Sequence, residues 1–330
     1  MDDAPQPPVI DLAHLDDATF QSLYAQRIEP CFAENESARV ADVVTFKQRL
    51  WIGLPIAMVL GLIVGVWASH LVAGIVTAGI AGILAYAYAY APLAALSKKL
   101  KRQYCTAIAQ AMGATFEIGG FEPPALQRLK DLRLLPSYAR SSFEDLFTGA
   151  HKGAQYQLYE AHLEQRHTDS KGRTYYSTVF RGQLIRMHFT RNFLGVTIVR
   201  RDAGVFNAFG GGMVDGKKLE RVRLEDPKFE QAFEVWGNDQ VEARYLLHPV
   251  MMEHLLGLEA GLKGKKLRCA FENGDVLVAV EGGNLFEPGD MFTPLVDASR
   301  ARRIVDEIAG VVRVMDQVLT AQSLRPSPSA

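Results

Sequence analysis

From Trp51 to Ser97 the chain carries no Asp, Glu, Lys or Arg, a run of 47 residues. A membrane span needs roughly 20 apolar residues, and one straight helix of this length would rise about 70 Å, twice what a bilayer covers. The run therefore predicts two spans, divided at its one polar break, Ala68-Ser69-His70. The first runs from about Trp51 to Ala68 and the second from about Leu71 to Ala91, joined by a very short turn into an antiparallel hairpin. Pro55 falls near the start of the first span and Pro92 just past the second, where a missing amide hydrogen matters little. A secretory signal peptide is excluded, because the segment starts far from the N-terminus and follows an acidic arm.

The flanks orient this hairpin. Lys47 and Arg49 precede it, and Lys98, Lys99, Lys101 and Arg102 follow it. Basic residues stay on the cytoplasmic side, so both termini are expected there, with only the turn around His70 outside. Trp51, Tyr86, Tyr88 and Tyr90 mark the inner interface and Trp67 the outer one. Gly61 and Gly65 form GxxxG, and Gly74, Ala78 and Gly82 continue a row of small residues in the second span. Such rows let helix backbones approach closely in lipid, within the hairpin or between copies in a homo-oligomer. No ionisable carboxylate or base lies within the spans, so no ion or proton pathway is read and the hairpin serves as an anchor.

Four domains follow: an acidic, largely helical arm over 1–49, the transmembrane hairpin over 50–96, a cytoplasmic α+β domain over 97–324, and a disordered tail over 325–330. Residues 1–50 hold nine acids against four bases. Asp16 or Asp17 is placed to cap a first helix, and Pro30 to break or kink it before a second stretch enters the membrane from Phe32. After the hairpin, a helix from Ser97 to Met112 ends at Gly113, and a short one covers Pro124 to Leu134. Alternating or β-branched segments then predict strands at Tyr156–Leu163, Tyr175–Phe189, Leu194–Arg200, Leu219–Leu224 and Phe233–Trp236. Helix follows from Pro249 to Leu262, and a hairpin turns at Glu272-Asn273-Gly274. In the last helix, Ile304, Ile308, Val311, Val312, Met315 and Leu319 make one apolar stripe that closes a mainly antiparallel sheet.

Chemistry is harder to place. Lys and Arg total 36 and Asp and Glu 37, so the charge balance offers no footprint for nucleic acid. Gly211-Gly-Met-Val-Asp-Gly216-Lys217 approaches a phosphate-binding loop, but Lys218 stands where a hydroxyl must reach magnesium, and a strand is predicted where the motif requires a helix. His151, His162, His167 and His188 cluster in sequence without a Cys or carboxylate spaced to complete a metal site, and Cys31, Cys105 and Cys269 are isolated. Glu144-Asp145 and Glu287 with Asp290 are the most suggestive acids, yet no nucleophile motif accompanies them. No catalytic residue, metal or cofactor is assigned. Arg181, Arg186 and Arg191 recur along consecutive strands, together with Arg200 and Arg201, and are the candidate contacts to an anionic ligand.

A set of short segments carries a resemblance. Phe143-Glu-Asp145, Tyr159-Glu-Ala161, Thr178-Val-Phe-Arg-Gly182, Phe233-Glu-Val-Trp236, Asp239-Gln-Val-Glu-Ala-Arg-Tyr-Leu-Leu247 and Asn284-Leu-Phe-Glu-Pro288 follow the uncharged hairpin in order. Over roughly Ser97 to Pro288 the chain resembles the bacterial domain-of-unknown-function family 3137. The resemblance implies a bacterial inner-membrane protein with a cytoplasmic domain and carries no activity. It marks Glu242, Arg244 and Tyr245 as a structural core, with Glu160 or Glu287 as the expected carboxylate partner of Arg244. The function expected is a membrane-tethered interaction or scaffolding module with a protein partner. Binding of an anionic lipid headgroup or small ligand is the alternative, and an enzyme of unknown class stands third.

Overall fold

A computed structural model of the chain describes residues 16–201, 212–261, 265–284, 286, 290–295 and 298–324. The chain divides into two compact units. One comprises Gln21–Ala107 with Glu287–Ala301, and the other Met1–Phe20, Ile108–Phe286 and Arg302–Ala330. The expected disordered tail and the Pro-rich start lie outside the described residues.

The first unit is built on two long helices, α2 (Glu29–Trp67) and α3 (Leu71–Ala111). Each contains a stretch long and apolar enough to cross a membrane. A core helix of a soluble protein would bury such side chains; here Trp51 is 82% exposed and Leu62 68% exposed, as lipid-facing residues would be. Ser69 takes φ 51° in the turn, and the His70 amide donates to the Gly65 carbonyl at 3.1 Å, so three residues reverse the chain.

The helical stretch that enters the first span begins at Glu29, slightly before the expected Phe32, and Pro30 occupies its first turn, where its missing N–H would have had no partner anyway. A π-helical turn, Tyr24–Ile28, joins α2 to the short helix α1 (Asp17–Leu23), and the Thr19 amide donates to Asp16 Oδ1 at 2.7 Å as a cap should. Because both long helices run well past the apolar run, Pro55 and Pro92 lie inside them and not in terminal turns, where a missing amide hydrogen would matter little. Beyond the run, α2 and α3 stay paired through Phe32 on Tyr104 (5.2 Å between centroids) and through Asn35, which receives Lys99 Nζ at 3.1 Å and donates to Gln103 at 3.3 Å. Phe46 meets the edges of Tyr86 and Tyr90. Met291 to Leu295 straps this pair, since Arg39 donates to the Met291 carbonyl at 3.0 Å and Glu36 accepts the Leu295 amide at 3.2 Å. The strap sets Phe292, half exposed, against Phe46.

The small residues close the hairpin on itself. A Cβ at Gly61 would stand 2.5 Å from Ala78 Cβ, one at Gly74 would stand 2.7 Å from the Gly61 carbonyl, and Gly65 and Gly74 approach backbone to backbone. Gly53 on Ala85 extends the seam beyond the predicted row. Gly82 does not belong to it: nothing stands within 4 Å of where its Cβ would be. Gly61→Leu is therefore expected to separate the helices and lower the yield of inserted protein, whereas Gly82→Leu leaves the yield unchanged. Membrane-fraction immunoblotting of the two variants at matched expression checks this.

The second unit is an α+β domain around one nine-stranded sheet. Its strands are β1 (Thr115–Glu117), β2 (Arg140–His151), β3 (Ala154–Thr168), β4 (Thr174–His188), β5 (Thr197–Arg201), β8 (Glu220–Val222), β9 (Phe233–Gly237), β10 (Lys265–Glu272) and β11 (Asp275–Glu281). Their order is β1-β2-β3-β4-β11-β10-β5-β9-β8, and every pair is antiparallel. Both faces are covered, which is why β11 buries five consecutive residues, Val276 to Val280, instead of alternating. On one face Tyr159, Leu184, Ile198, Ala270 and Leu277 form a core with Leu129 of the helix α4 (Leu126–Asp131) and with Leu132 and Leu134 beyond it. On the other, Leu158, Ile185, Val199, Cys269 and Val278 are fully buried. There α7 (Pro249–Gly261) packs along β10. The expected closing helix is α8 (Ala298–Leu324), whose Ile304, Ile308, Val311, Val312 and Met315 are buried and whose Gly310 meets Leu258 of α7.

A two-strand flap, β6 (Met213–Val214) and β7 (Lys217–Lys218), replaces any phosphate-binding loop: Asp215 and Gly216 both take positive φ in a tight hairpin turn, and no helix follows. Arg128 of α4 ties the flap down, donating to Asp215 at its tip (3.1 Å through Nη1) and to the buried Glu272 at the end of β10.

Candidate functional site

The segment singled out as the family core, Asp239 to Leu247, is a capped helix, α6 (Gln240–Leu246), set between β9 and α7. Asp239 begins it in extended backbone, and its Oδ1 accepts the amides of Val241 at 3.0 Å and Glu242 at 2.8 Å. The next anchor is Glu242, only 3% exposed. Its two carboxylate oxygens accept the amides of Leu194 at 2.7 Å and Gly195 at 2.6 Å, in the connection between β4 and β5. Asn238 continues the clamp by accepting the Val196 amide at 2.6 Å. A Cβ at Gly195 would stand 2.5 Å from Asn238 Oδ1 and 3.0 Å from Asp239 Cβ, so this connection runs hard against the residues that lead into α6.

The consequence is an exposed apolar surface on a rigid support. Val241 is 80% exposed and Leu194 67%, and Tyr245, one turn beyond Val241, is partly exposed with its hydroxyl donating to the Ala321 carbonyl of α8 at 2.8 Å. Arg244 shares this side. It donates to the carbonyls of Arg223 at 3.3 Å and Gln240 at 3.2 Å, and not to Glu160, which sits in β3; Glu287 lies outside the described residues. Among the described residues Arg244 bonds to backbone carbonyls, and the expected pairing with Glu160 is not formed. Of the three residues, Glu242 is the structural anchor, while Arg244 and Tyr245 present their side chains at the surface.

Arg181, Arg186 and Arg191 do not converge. Arg181 and Arg186 lie five residues apart on β4, which places them on opposite faces of the sheet. Arg181 donates to Asn284 at 3.0 Å, Arg186 to Asp275 at 3.2 Å, and Arg191 to the Gln322 carbonyl. Arg181 instead joins a polar crevice with Glu144, Glu160, His162 and Asn284, where several of the short sequence segments meet. Glu144 stands directly opposite Glu160 in the β2–β3 register, and Asp145 beside it is fully buried at a bulge, with φ 61°.

His162 and His188 do not face each other either: the register sets His162 across from Arg181 and His188 across from Gln155. His151 reaches Asp316 of α8 at 2.7 Å, and Lys152 reaches the same oxygen at 2.8 Å. Burial would raise the Asp316 pKa, yet the bonds from Lys152 and His151 outweigh it and hold this carboxyl below its usual range. Among the described residues no group of three or more His, Cys, Asp or Glu is arranged to hold a metal.

Sequence reasoning missed α6, although Asp239 two residues before Val241 and the cation Arg244 near the end are cap signals. It also missed the exposure of Leu194, which depends on where Glu242 pulls the preceding loop.

Residues 178–319 match the model of a family described as protein of unknown function (DUF3137). The match begins within β4 and continues into α8, so it starts later and ends later than the segments read from the sequence. It takes in α6 and its clamp. Among solved structures, the crystal structure of the mycobacterial trehalose monomycolate transport factor A, TtfA, is 12% identical, with a TM-score of 0.34 over 69% of this chain and 98% of that one. No curated protein matches the chain.

Proposed function

With residues 178–319 matching the model of the DUF3137 family, we propose that this chain is a bacterial inner-membrane protein whose α+β domain docks a protein partner at the cytoplasmic face. The observation that carries the reading is the surface of α6: large apolar side chains left in water, on a helix fixed by a buried carboxylate. A surface loop without a role has no need of a buried charge to hold two of its amides, and the exposed Val and Leu lie beside a Tyr and an Arg, residue types enriched at interface centres.

The hairpin supplies the tether. Lys47, Arg49, Lys98, Lys99, Lys101 and Arg102 favour the side of the membrane that holds both termini as the cytoplasm. Trp51, Tyr86 and Tyr88, all exposed, fit an interfacial belt, and Arg49 reinforces it by stacking on Tyr88 at 4.6 Å. Phe292, held on Phe46 by the strap, adds an aromatic to the same level. Restricting a partner to two dimensions raises its effective concentration, so a modest patch suffices for docking at the membrane surface.

Val241→Glu tests the reading. Because the side chain is exposed, the thermal midpoint should stay within about 0.5 kcal/mol of the parent in stability. Crosslinked membranes solubilised in detergent should yield the tagged parent with one stoichiometric partner, and the variant without it. Equal recovery from both would remove α6 from the interface.

A further inference from the structure

On the sheet face that carries Ile198 and Trp236, one arginine makes no hydrogen bond or salt bridge to a carboxylate among the described residues. Arg200 of β5 stands directly across from Arg268 of β10 on one side and from Glu234 of β9 on the other. Both neighbours are committed elsewhere: Arg268 donates to Glu281 at 2.5 Å, and Glu234 accepts from Arg221 at 2.5 Å. Arg200 donates through Nη2 to the Leu132 carbonyl at 2.7 Å, and its buried Nε has no hydrogen-bond partner among the described residues. Burial, reinforced by repulsion from Arg133 and Arg268 and only partly offset by the facing Glu234, pushes its pKa below the usual arginine range. A half-buried guanidinium held by one carbonyl is costly unless an anion completes it.

A small crevice of about 30 Å³, open to solvent, lies beside Arg200, and its walls include Arg133, Trp236, Leu132 and the flap residues Gly212 and Met213. Arg133 Nη1 lies 3.9 Å from where a Cβ of Gly212 would be, so the glycine keeps the mouth narrow without filling it. The acid at the rim, Asp131, accepts from Gln127 at 2.8 Å. Arg128 holds the flap over the crevice through Asp215.

We propose that Arg200 and Arg133 form a binding site for a phosphoryl oxyanion beneath this flap. The guanidinium fork matches phosphate oxygens, and the same chemistry receives a soluble phosphate ester or the phosphate of a lipid headgroup. The site is separate from the α6 surface and does not depend on it.

The test is calorimetric titration of inorganic phosphate into the full chain in maltoside micelles, which carry no phosphate. The parent should bind one phosphate saturably, and Arg200→Met or Arg133→Gln should weaken binding roughly ten-fold or more. Removing a half-buried cation should leave the unliganded thermal midpoint of Arg200→Met equal to or above the parent's, while phosphate ceases to raise it. Repeating the titration in nanodiscs of phosphatidylglycerol identifies the source: weaker phosphate binding there assigns the site to a lipid headgroup, and equal binding assigns it to a soluble phosphate. No saturable heat in micelles, or phosphate binding unchanged in both variants, overturns the proposal.

Discussion

Gly182→Ala will leave the α+β domain unfolded or destabilised by at least about 3 kcal/mol, a drop of roughly 10 °C in midpoint for a domain of this size. Gly182 lies in β4, paired with Glu281 of β11 on one side and Ala161 of β3 on the other. A Cβ there would stand 2.0 Å from the Val280 carbonyl oxygen and 2.7 Å from the Gly282 amide nitrogen. Both obstacles are backbone, so no side chain can swing aside to make room. Relief requires β4 and β11 to part at the centre of the sheet, where Ile185, Val278 and Val280 are fully buried. Thermal melts followed by circular dichroism measure the loss; an alanine variant melting with the parent would refute the close approach of the two strands.

The second large effect is Glu242→Ala, expected to destabilise the domain by about 3–5 kcal/mol. Truncation leaves the Leu194 and Gly195 amides without the acceptor they share, the Gly195 amide fully buried and the Leu194 amide partly so. Glu242→Gln separates charge from shape. It keeps one acceptor oxygen but turns an NH2 toward the other amide, donor against donor, and should fall near alanine and well below the parent. Hydrogen exchange gives the local reading: the amides of Leu194 and Gly195 should lose protection in both variants. Protection retained in the glutamine variant would show that the side chain merely fills space.

What was legible in the sequence follows from how strong each periodicity is. The hairpin could be read because 47 uncharged residues leave a helix no alternative in lipid, and α8 because one apolar stripe repeats over several turns. The strands β3 and β4 alternate cleanly enough to be seen. By contrast β2 escaped notice. Its first residues, Arg140-Ser141-Ser142, are exposed, and the bulge at Asp145 shifts the alternation by one residue between Glu144 and Phe147. The start of α2 was placed at Phe32 instead of Glu29 because Pro30 was left outside the helix, when the first turn of a helix tolerates it. The arginines illustrate the gap between sequence and site. Five residues along a strand already separate Arg181 from Arg186, but nothing in the sequence reveals that Arg200, and not its neighbours, makes no salt bridge among the described residues: that depends on Arg221 and Arg268 claiming Glu234 and Glu281 first.

The α6 surface and its membrane tether make the central claim, and a photo-crosslinking amino acid placed at Val241 in intact cells tests it most directly. A second placement at Tyr175, also exposed but far along the β3–β4 hairpin from α6, serves as the control. After irradiation and mass spectrometry, Val241 should yield one protein adduct that Tyr175 does not, and Glu242→Ala should abolish it. The same adducts from both positions, or none from Val241 while the protein is folded in the membrane, would contradict the account.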